Sequence, residues 1–288
     1  MSNYVVTSAA SGMGAAVAAQ LRDAGNTVIG VDRDGEVEVR ADLATPRGRE
    51  AAIAAVLELS GGQLAGAVMA AGLGPSRGGE RTIAEVNLLG VTELLTAFRP
   101  ALAASENAKV VVFGSNSTTA TPLVPRRAVT KLLDGDLRGA TKMVRRRGAA
   151  LSGPLAYASS KIAVTRWCRT VGTTREWAGA GIRVNVIAPG PVMTPLLRSQ
   201  LDGAAGRGVR SFPVPIGEYG TTQQLTEWVR VMLSPAADFL CGSVVTVDGG
   251  TESLLRGREW PAPIGLTALP RVLWRMYRAP KEGQIVRY

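Results

Sequence analysis

Tyr157 and Lys161 stand four residues apart in the segment Gly153-Pro154-Leu155-Ala156-Tyr157-Ala158-Ser159-Ser160-Lys161. In a helix that spacing puts both side chains on one face. A phenol beside an ammonium is an acid/base device, because a nearby cation favours phenolate and draws tyrosine down from about 10. Such pairs also arise in helices with no chemistry to do, so the rest of the chain has to decide. It contains no histidine, which excludes Ser-His and Cys-His nucleophilic devices and His-metal centres. Proton transfer is left to Tyr, Lys, Asp, Glu or Cys. Cys168 and Cys241 are isolated thiols without metal-type spacing, fit for core packing in a reducing compartment. No metal site is expected.

The elements that would position the pair alternate between strand and helix patterns. Asn3–Thr7 is a short β-type run, followed by the small-residue turn Ser8-Ala9-Ala10-Ser11-Gly12-Met13-Gly14 and a helix over Ala15–Ala24 that ends at Gly25. Small side chains let backbone approach a pyrophosphate, and the unpaired N–H groups of the helix start attract its charge. A tight βα turn with no ligand has the same appearance. Thr27–Asp32 is a second strand ending in an acid where an adenosine ribose would present its 2′-hydroxyl. A carboxylate there accepts from the hydroxyl and repels a 2′-phosphate, so Asp32 favours NAD over NADP. Arg33 beside it pulls the other way.

Ala41-Asp42-Leu43 closes a third element, Pro46–Ser60 is an amphipathic helix, and Leu64–Ala70 is an apolar strand with the exit turn Ala71-Gly72-Leu73-Gly74. The pattern predicts one long helix over Glu80–Ala104 carrying Asn87 among apolar neighbours. Lys109–Phe113 is an apolar strand running into Gly114-Ser115-Asn116-Ser117. Residues 123–150 then interrupt the rhythm with eight basic residues against Asp134 and Asp136, a net +6, and are expected to be helical around Lys131–Arg147. After the Tyr157 helix come a strand over Arg183–Ile187, the stiff turn Ala188-Pro189-Gly190-Pro191, and an apolar, mobile flap over 194–220. A helix over Thr222–Leu233 and a strand over Ser243–Val247 with Asp248-Gly249-Gly250 follow. The βαβ alternation implies a single Rossmann-type, doubly wound parallel sheet that binds ligands at the carboxyl ends of its strands. Residues 1–250 form that domain, interrupted by the insertion 123–150 and followed by the basic extension 251–288. At 288 residues and 46% hydrophobic the chain is long enough for it.

Taken in order, these residues resemble the short-chain dehydrogenase/reductase family over about residues 3–250, and within it the bacterial 3α-hydroxysteroid dehydrogenase/carbonyl reductase and coniferyl-alcohol dehydrogenase group. The family's glycine turn matches Thr7-Ser8-Ala9-Ala10-Ser11-Gly12-Met13-Gly14, its asparagine Asn87, its serine Ser115, its YxxxK pair Tyr157 and Lys161, and its Pro-Gly turn Pro189-Gly190. The resemblance implies a hydride transferred between NAD and a secondary alcohol or ketone. In it Tyr157 is the acid/base, Lys161 steadies the phenolate and the nicotinamide ribose, Ser115 holds the substrate oxygen, and Asn87 positions a relay water. It also implies a cofactor site of Thr7, Ser11, Gly12, Met13, Gly14, Asp32, Arg33, Asp42, Leu43, Ala71, Gly72, Tyr157, Lys161, Pro189, Gly190, Val192 and Thr194. Asp42 and Leu43 would touch adenine and Thr194 the carboxamide. Two positions depart from the pattern. Ser8 stands where the family has glycine, a strained choice if the turn needs φ > 0, and Ala70 replaces a turn-supporting asparagine.

The apolar flap suggests a lipophilic or aromatic substrate. Read as a rival, the chain is a non-catalytic NAD-binding scaffold that contacts a partner through its insertion and tail. The insertion can be a solvated face, a dock for an acidic substrate tail, or a block on a helix surface used for oligomers. A homo-dimer or homo-tetramer is expected. In the tail, which adds a net +4, Leu269, Val272, Leu273, Met276 and Tyr277 would line one helix face with Arg271, Arg275 and Arg278 opposite. That pattern suits a subunit contact or an anionic membrane surface. No nucleic-acid motif accompanies the charge. The opening residues lack a basic segment followed by an apolar run, and no apolar stretch reaches roughly 18 residues, which points to a cytoplasmic protein.

Overall fold

A computed structural model describes residues 2–203, 210, 212–259 and 265–278. Seven strands form one parallel sheet: β1 (Asn3–Thr7), β2 (Thr27–Asp32), β3 (Val39–Arg40), β4 (Gly66–Met69), β5 (Lys109–Phe113), β6 (Arg183–Pro189) and β7 (Val244–Val247), in the order β3-β2-β1-β4-β5-β6-β7. Runs such as Val110-Val111-Val112 are wholly buried because helices cover both faces of the sheet. The chain winds outward in opposite directions from β1 and β4, so a crevice opens at their carboxyl ends, the place where ligands bind in such sheets.

Helix α1 (Gly12–Asp23) leaves the first turn and α2 (Pro46–Leu59) lies ahead of β4. The long helix expected over Glu80–Ala104 runs without interruption from Glu80 to Ala103 but changes its winding on the way. α3 (Glu80–Ala84) passes through a π-helical turn (Glu85–Leu89) into α4 (Gly90–Ala103). The wider turn takes in one extra residue at Asn87, whose side chain bonds away from the helix.

The insertion is two helices and not one. After the short α5 (Ser117–Ala120) come α6 (Arg126–Leu133) and α7 (Leu137–Arg145), parted at Asp134-Gly135-Asp136. Asp136 makes the break, accepting from Gly139 N at 2.7 Å to cap α7 and pairing with Lys131 at 2.6 Å. Ala128, Val129, Leu132, Leu137, Ala140 and Val144 are buried beneath the pair, while Arg126, Arg127, Arg138, Lys142, Arg146 and Arg147 face solvent. Much of the charge excess is thus a solvated face over an apolar underside.

Helix α8 (Ala149–Val171) starts four residues before the segment that carries Tyr157, so the Tyr157–Lys161 pair lies inside it. Gly153 permits this, since a Cβ there would press on the Ser76 carbonyl of the loop lying across the helix. Beyond β6, α9 (Pro195–Asp202) starts at the cap Thr194, and α10 (Thr222–Leu233) packs on α1. Part of the expected flap, 204–209 and 211, lies outside the described residues. Its far end is pinned by Thr251 Oγ1 donating to Pro213 O at 2.6 Å. The extension begins as α11 (Thr251–Arg256), which packs against α5, and continues as a 3-10 turn (Leu266–Ala268) and α12 (Leu269–Arg278). Trp260, Lys281 and Arg287 lie outside the described residues, as do the side chains of Arg275 and Arg278. Among the described residues no helix is long and apolar enough to cross a membrane.

Candidate active site

Two cavities of about 690 and about 450 Å³ meet along the carboxyl edge of the sheet and share Met13, Ala70, Gly72, Leu73, Thr194 and Leu196. The larger runs from the glycine turn to the end of β2, lined by Ser11, Gly12, Met13, Gly14, Asp32, Arg33, Asp42, Leu43, Ala71, Gly72 and Thr194. The smaller is lined by Ser115, Tyr157, Lys161, Pro189, Gly190 and Val192, with apolar walls from Leu73, Pro75, Pro154, Leu197 and Phe212. Every expected site residue borders one of the two except Thr7 and Asn87, which lie behind them. The Thr7 hydroxyl accepts from Ala71 N at 2.9 Å and ties the exits of β1 and β4 together.

The turn fits a dinucleotide on its own geometry. A Cβ at Gly14 would overlap the carbonyl oxygens of Thr7 and Ser8, so only glycine brings the helix start this close to the strand end. The first-turn N–H groups of α1 have no helical acceptor, and Gly12, Met13 and Gly14, which carry them, line the larger cavity. Ser8 takes φ +59°, the left-handed region expected of the glycine it replaces. Asp32 accepts from Ala10 N at 3.0 Å and Arg33 N at 2.7 Å, which fixes its carboxylate at the cavity wall. The Arg33 guanidinium pairs with Asp34 at 2.8 Å. Arg49, buried and paired with Glu93 at 2.6 Å, donates to the Leu43 carbonyl at 3.0 Å and so supports the Leu43 wall of the larger cavity.

At the other end Tyr157 and Ser115 line the smaller cavity together, and the Ser115 hydroxyl accepts from Ser117 N at 3.1 Å. Burial pushes the Tyr157 phenol above its ordinary value, and the Ser115 hydroxyl pulls it back in part. In this geometry Lys161 makes its bond elsewhere. Its Nζ reaches across to the Phe113 carbonyl at 2.7 Å, and burial lowers it to about 8. In this geometry the phenol is therefore a neutral acid with a serine hydroxyl as its neighbour in the cavity.

Asn87 is fully buried and both of its amide hydrogens are used. It accepts from Leu73 N at 2.8 Å and donates to Leu73 O at 3.0 Å and to Ser160 Oγ at 3.1 Å. The side chain holds the β4 exit loop against α8, beside Lys161. A pair not anticipated as part of the site lies on the far side of Ser115. Asn116 Nδ2 donates to Asp248 Oδ2 at 3.2 Å, and Asp248 also accepts from Gly250 N at 3.1 Å and Glu252 N at 2.8 Å. An Asp-Gly-Gly turn at the carboxyl end of the last strand was the available signal. Among the described residues no cluster of potential ligands could hold a metal ion.

Residues 140–252 match the family profile described as enoyl-(acyl carrier protein) reductase. The chain is 36% identical over 262 residues to the 3-alpha-hydroxysteroid dehydrogenase/carbonyl reductase of Comamonas testosteroni, covering 90% of this chain and 100% of that one. A D-threitol dehydrogenase of Mycolicibacterium smegmatis is 27% identical, with 85% and 91% covered. Among solved structures, the 3-alpha-hydroxysteroid dehydrogenase of Pseudomonas sp. B-0831 complexed with NADH superposes with a TM-score of 0.82 at 39% identity, covering 89% of this chain and 99% of that one.

Proposed function

The chain belongs to the short-chain dehydrogenase/reductase family, and from that premise we propose that it moves a hydride between NAD and a lipophilic or aromatic secondary alcohol or ketone, of hydroxysteroid or carbonyl type, with Tyr157 as acid and base. The observation that carries the reading is that Tyr157 and Ser115 line the smaller cavity together, next to its junction with the groove built for a dinucleotide. When bound, the nicotinamide supplies the hydride acceptor or donor.

The chain's own residues do the rest. The first turn of α1 at Gly12, Met13 and Gly14 would hold the pyrophosphate, Asp32 the adenosine ribose, and Asp42 and Leu43 the adenine. Thr194 would hold the carboxamide, with Pro189, Gly190 and Val192 closing the nicotinamide end. Ser115 holds the substrate oxygen at the phenol. In reduction the Tyr157 hydroxyl gives its proton to that oxygen, and in oxidation the phenolate takes it. Lys161, still largely an ammonium at neutral pH, steadies the phenolate and reaches the nicotinamide ribose. The apolar walls and the volume of about 450 Å³ suit one lipophilic ring system. NAD is favoured over NADP because the Asp32 carboxylate faces the ribose position while Arg33 is turned to Asp34.

The test is NADH formation with a panel of steroid, terpenoid and aryl secondary alcohols, run in parallel with NADP. Turnover of a lipophilic alcohol with NAD is expected. A preference for NADP overturns the reading of Asp32, and turnover of polyols alone overturns the substrate class.

A further inference from the structure

The extension ends its described course in a helix whose two sides differ completely. On α12, residues 269, 272, 273, 276 and 277 fall on one arc at helical spacing, and the positions of Arg271, Arg275 and Arg278 fall on the opposite one. The apolar side is open to solvent: Leu269 is 42% exposed, Leu273 55%, Met276 66% and Tyr277 76%, and Leu266 in the preceding turn is 87% exposed. The main packing partner of α12 among the described elements is that same 3-10 turn. Trp274, also largely exposed, sits between the two arcs at the border where aromatic side chains settle at a water–lipid boundary. Residues 265–278 contain three arginines and no acid.

From this we infer that α12 lies in the surface of an anionic lipid bilayer, its Leu–Met arc among the acyl chains and its arginines among the headgroups. The charge pattern selects this occupant. A second copy of α12 laid apolar arc to apolar arc would turn the arginines of both helices outward, with no carboxylate on either helix to meet them. An anionic lipid surface meets all three arginines with opposite charge, and the apolar arc is buried at the same time. The helix is too short to span a bilayer, and an in-plane position needs no more than its ten residues. The inference stands apart from the catalytic reading, since none of these residues touches the two cavities. A surface-bound enzyme would, however, meet lipophilic substrates where they partition.

Co-sedimentation of the full chain with vesicles tests it. Vesicles of phosphatidylcholine mixed with phosphatidylglycerol should carry the protein down, and vesicles of phosphatidylcholine alone should not. Arg271→Glu with Arg275→Glu should weaken binding about thirtyfold or more, and Leu273→Glu with Met276→Glu should weaken it as well. Raising the salt should weaken the wild type in step with screening. Unchanged thermal melting of both variants ensures that lost binding is not lost fold. The inference is overturned if the wild type ignores anionic vesicles, or if the apolar-face variant converts an oligomer to a smaller species while vesicle binding is unaltered.

Discussion

Lys161 Nζ donates to the carbonyl oxygen of Phe113 at 2.7 Å, bridging the middle of α8 and the last residue of β5 two positions before Ser115. The lysine thus fixes the strand exit that presents the serine, in addition to supplying charge. Lys161→Met removes both contributions, and turnover should fall on the order of a hundredfold or more. Wild-type kcat/KM should show a limb near pH 8, the value to which burial lowers the ammonium, and the variant should lack it. A variant that keeps the limb would assign it to another group.

Tyr157 has its own pH signature. Burial holds the phenol above its ordinary value, so it is protonated throughout the neutral range. On the proposed mechanism ketone reduction draws on the phenol and should be level across neutral pH, whereas alcohol oxidation draws on the phenolate and should climb steeply towards alkaline pH, by up to about tenfold per unit. Parallel pH profiles in the two directions check this, and an oxidation rate level from neutral to alkaline pH would refute it. Tyr157→Phe should abolish both directions while NADH binding, read by fluorescence, persists.

Much of this site was legible in the sequence because it follows from residue type and spacing. The strands Asn3–Thr7, Thr27–Asp32 and Lys109–Phe113 have the ends that their apolar runs announce. Tyr157, Lys161 and Ser115 fall into one cavity as the alternation of elements requires. Features set by tertiary contact left no periodic trace. The π turn at Asn87 depends on Leu73 and Ser160, far off in sequence, and the Lys161 ammonium turns to a strand carbonyl rather than to its helical neighbour. In the insertion the helical pattern was visible, but Asp134-Gly135-Asp136 outweighed it. Asp136 caps more favourably than a continuous helix would leave it.

Ser8 adopts φ +59° with a side chain that disfavours it. The left-handed conformation costs roughly 1 kcal/mol for such a residue, and glycine's extra freedom when unfolded returns part of that. Ser8→Gly should therefore stabilise the protein by up to about 1 kcal/mol, a rise in melting temperature of about 2 °C. Calorimetry measures it, and a lower melting temperature would show that the serine makes a compensating contact.

Glu80, at the start of α3, anchors the insertion. Burial alone would raise its carboxyl, but Arg145 at 2.8 Å, Ser152 at 2.7 Å and backbone N–H groups overcome that and hold it at about 2. A folded value below the unfolded one, near 4.5, means that its stabilisation is present in full above about pH 4.5. It is lost as pH falls from there towards 2. Acid unfolding of the wild type should steepen in that window and flatten in Glu80→Gln. Equal acid profiles for the two proteins would remove Glu80 from the linkage.

Asp248 gathers three donors, from Asn116 Nδ2, Gly250 N and Glu252 N, and thereby joins the serine-bearing loop to the root of the extension. Both residues are buried, with Asn116 6% and Asp248 8% exposed, so removing the carboxylate strands donors that water does not reach. Asp248→Ala should destabilise the fold by about 1–3 kcal/mol for the stranded groups. Asn116→Ala removes one of those donors, so the two substitutions should not add. A double-mutant cycle should return a coupling of at least about 0.5 kcal/mol, with Asn116→Ala also lowering kcat because Ser115 is its chain neighbour. Strict additivity would mean that the bond contributes nothing in solution and that the serine loop is held by its backbone bond from Asn116 N to the Pro189 carbonyl at 2.9 Å.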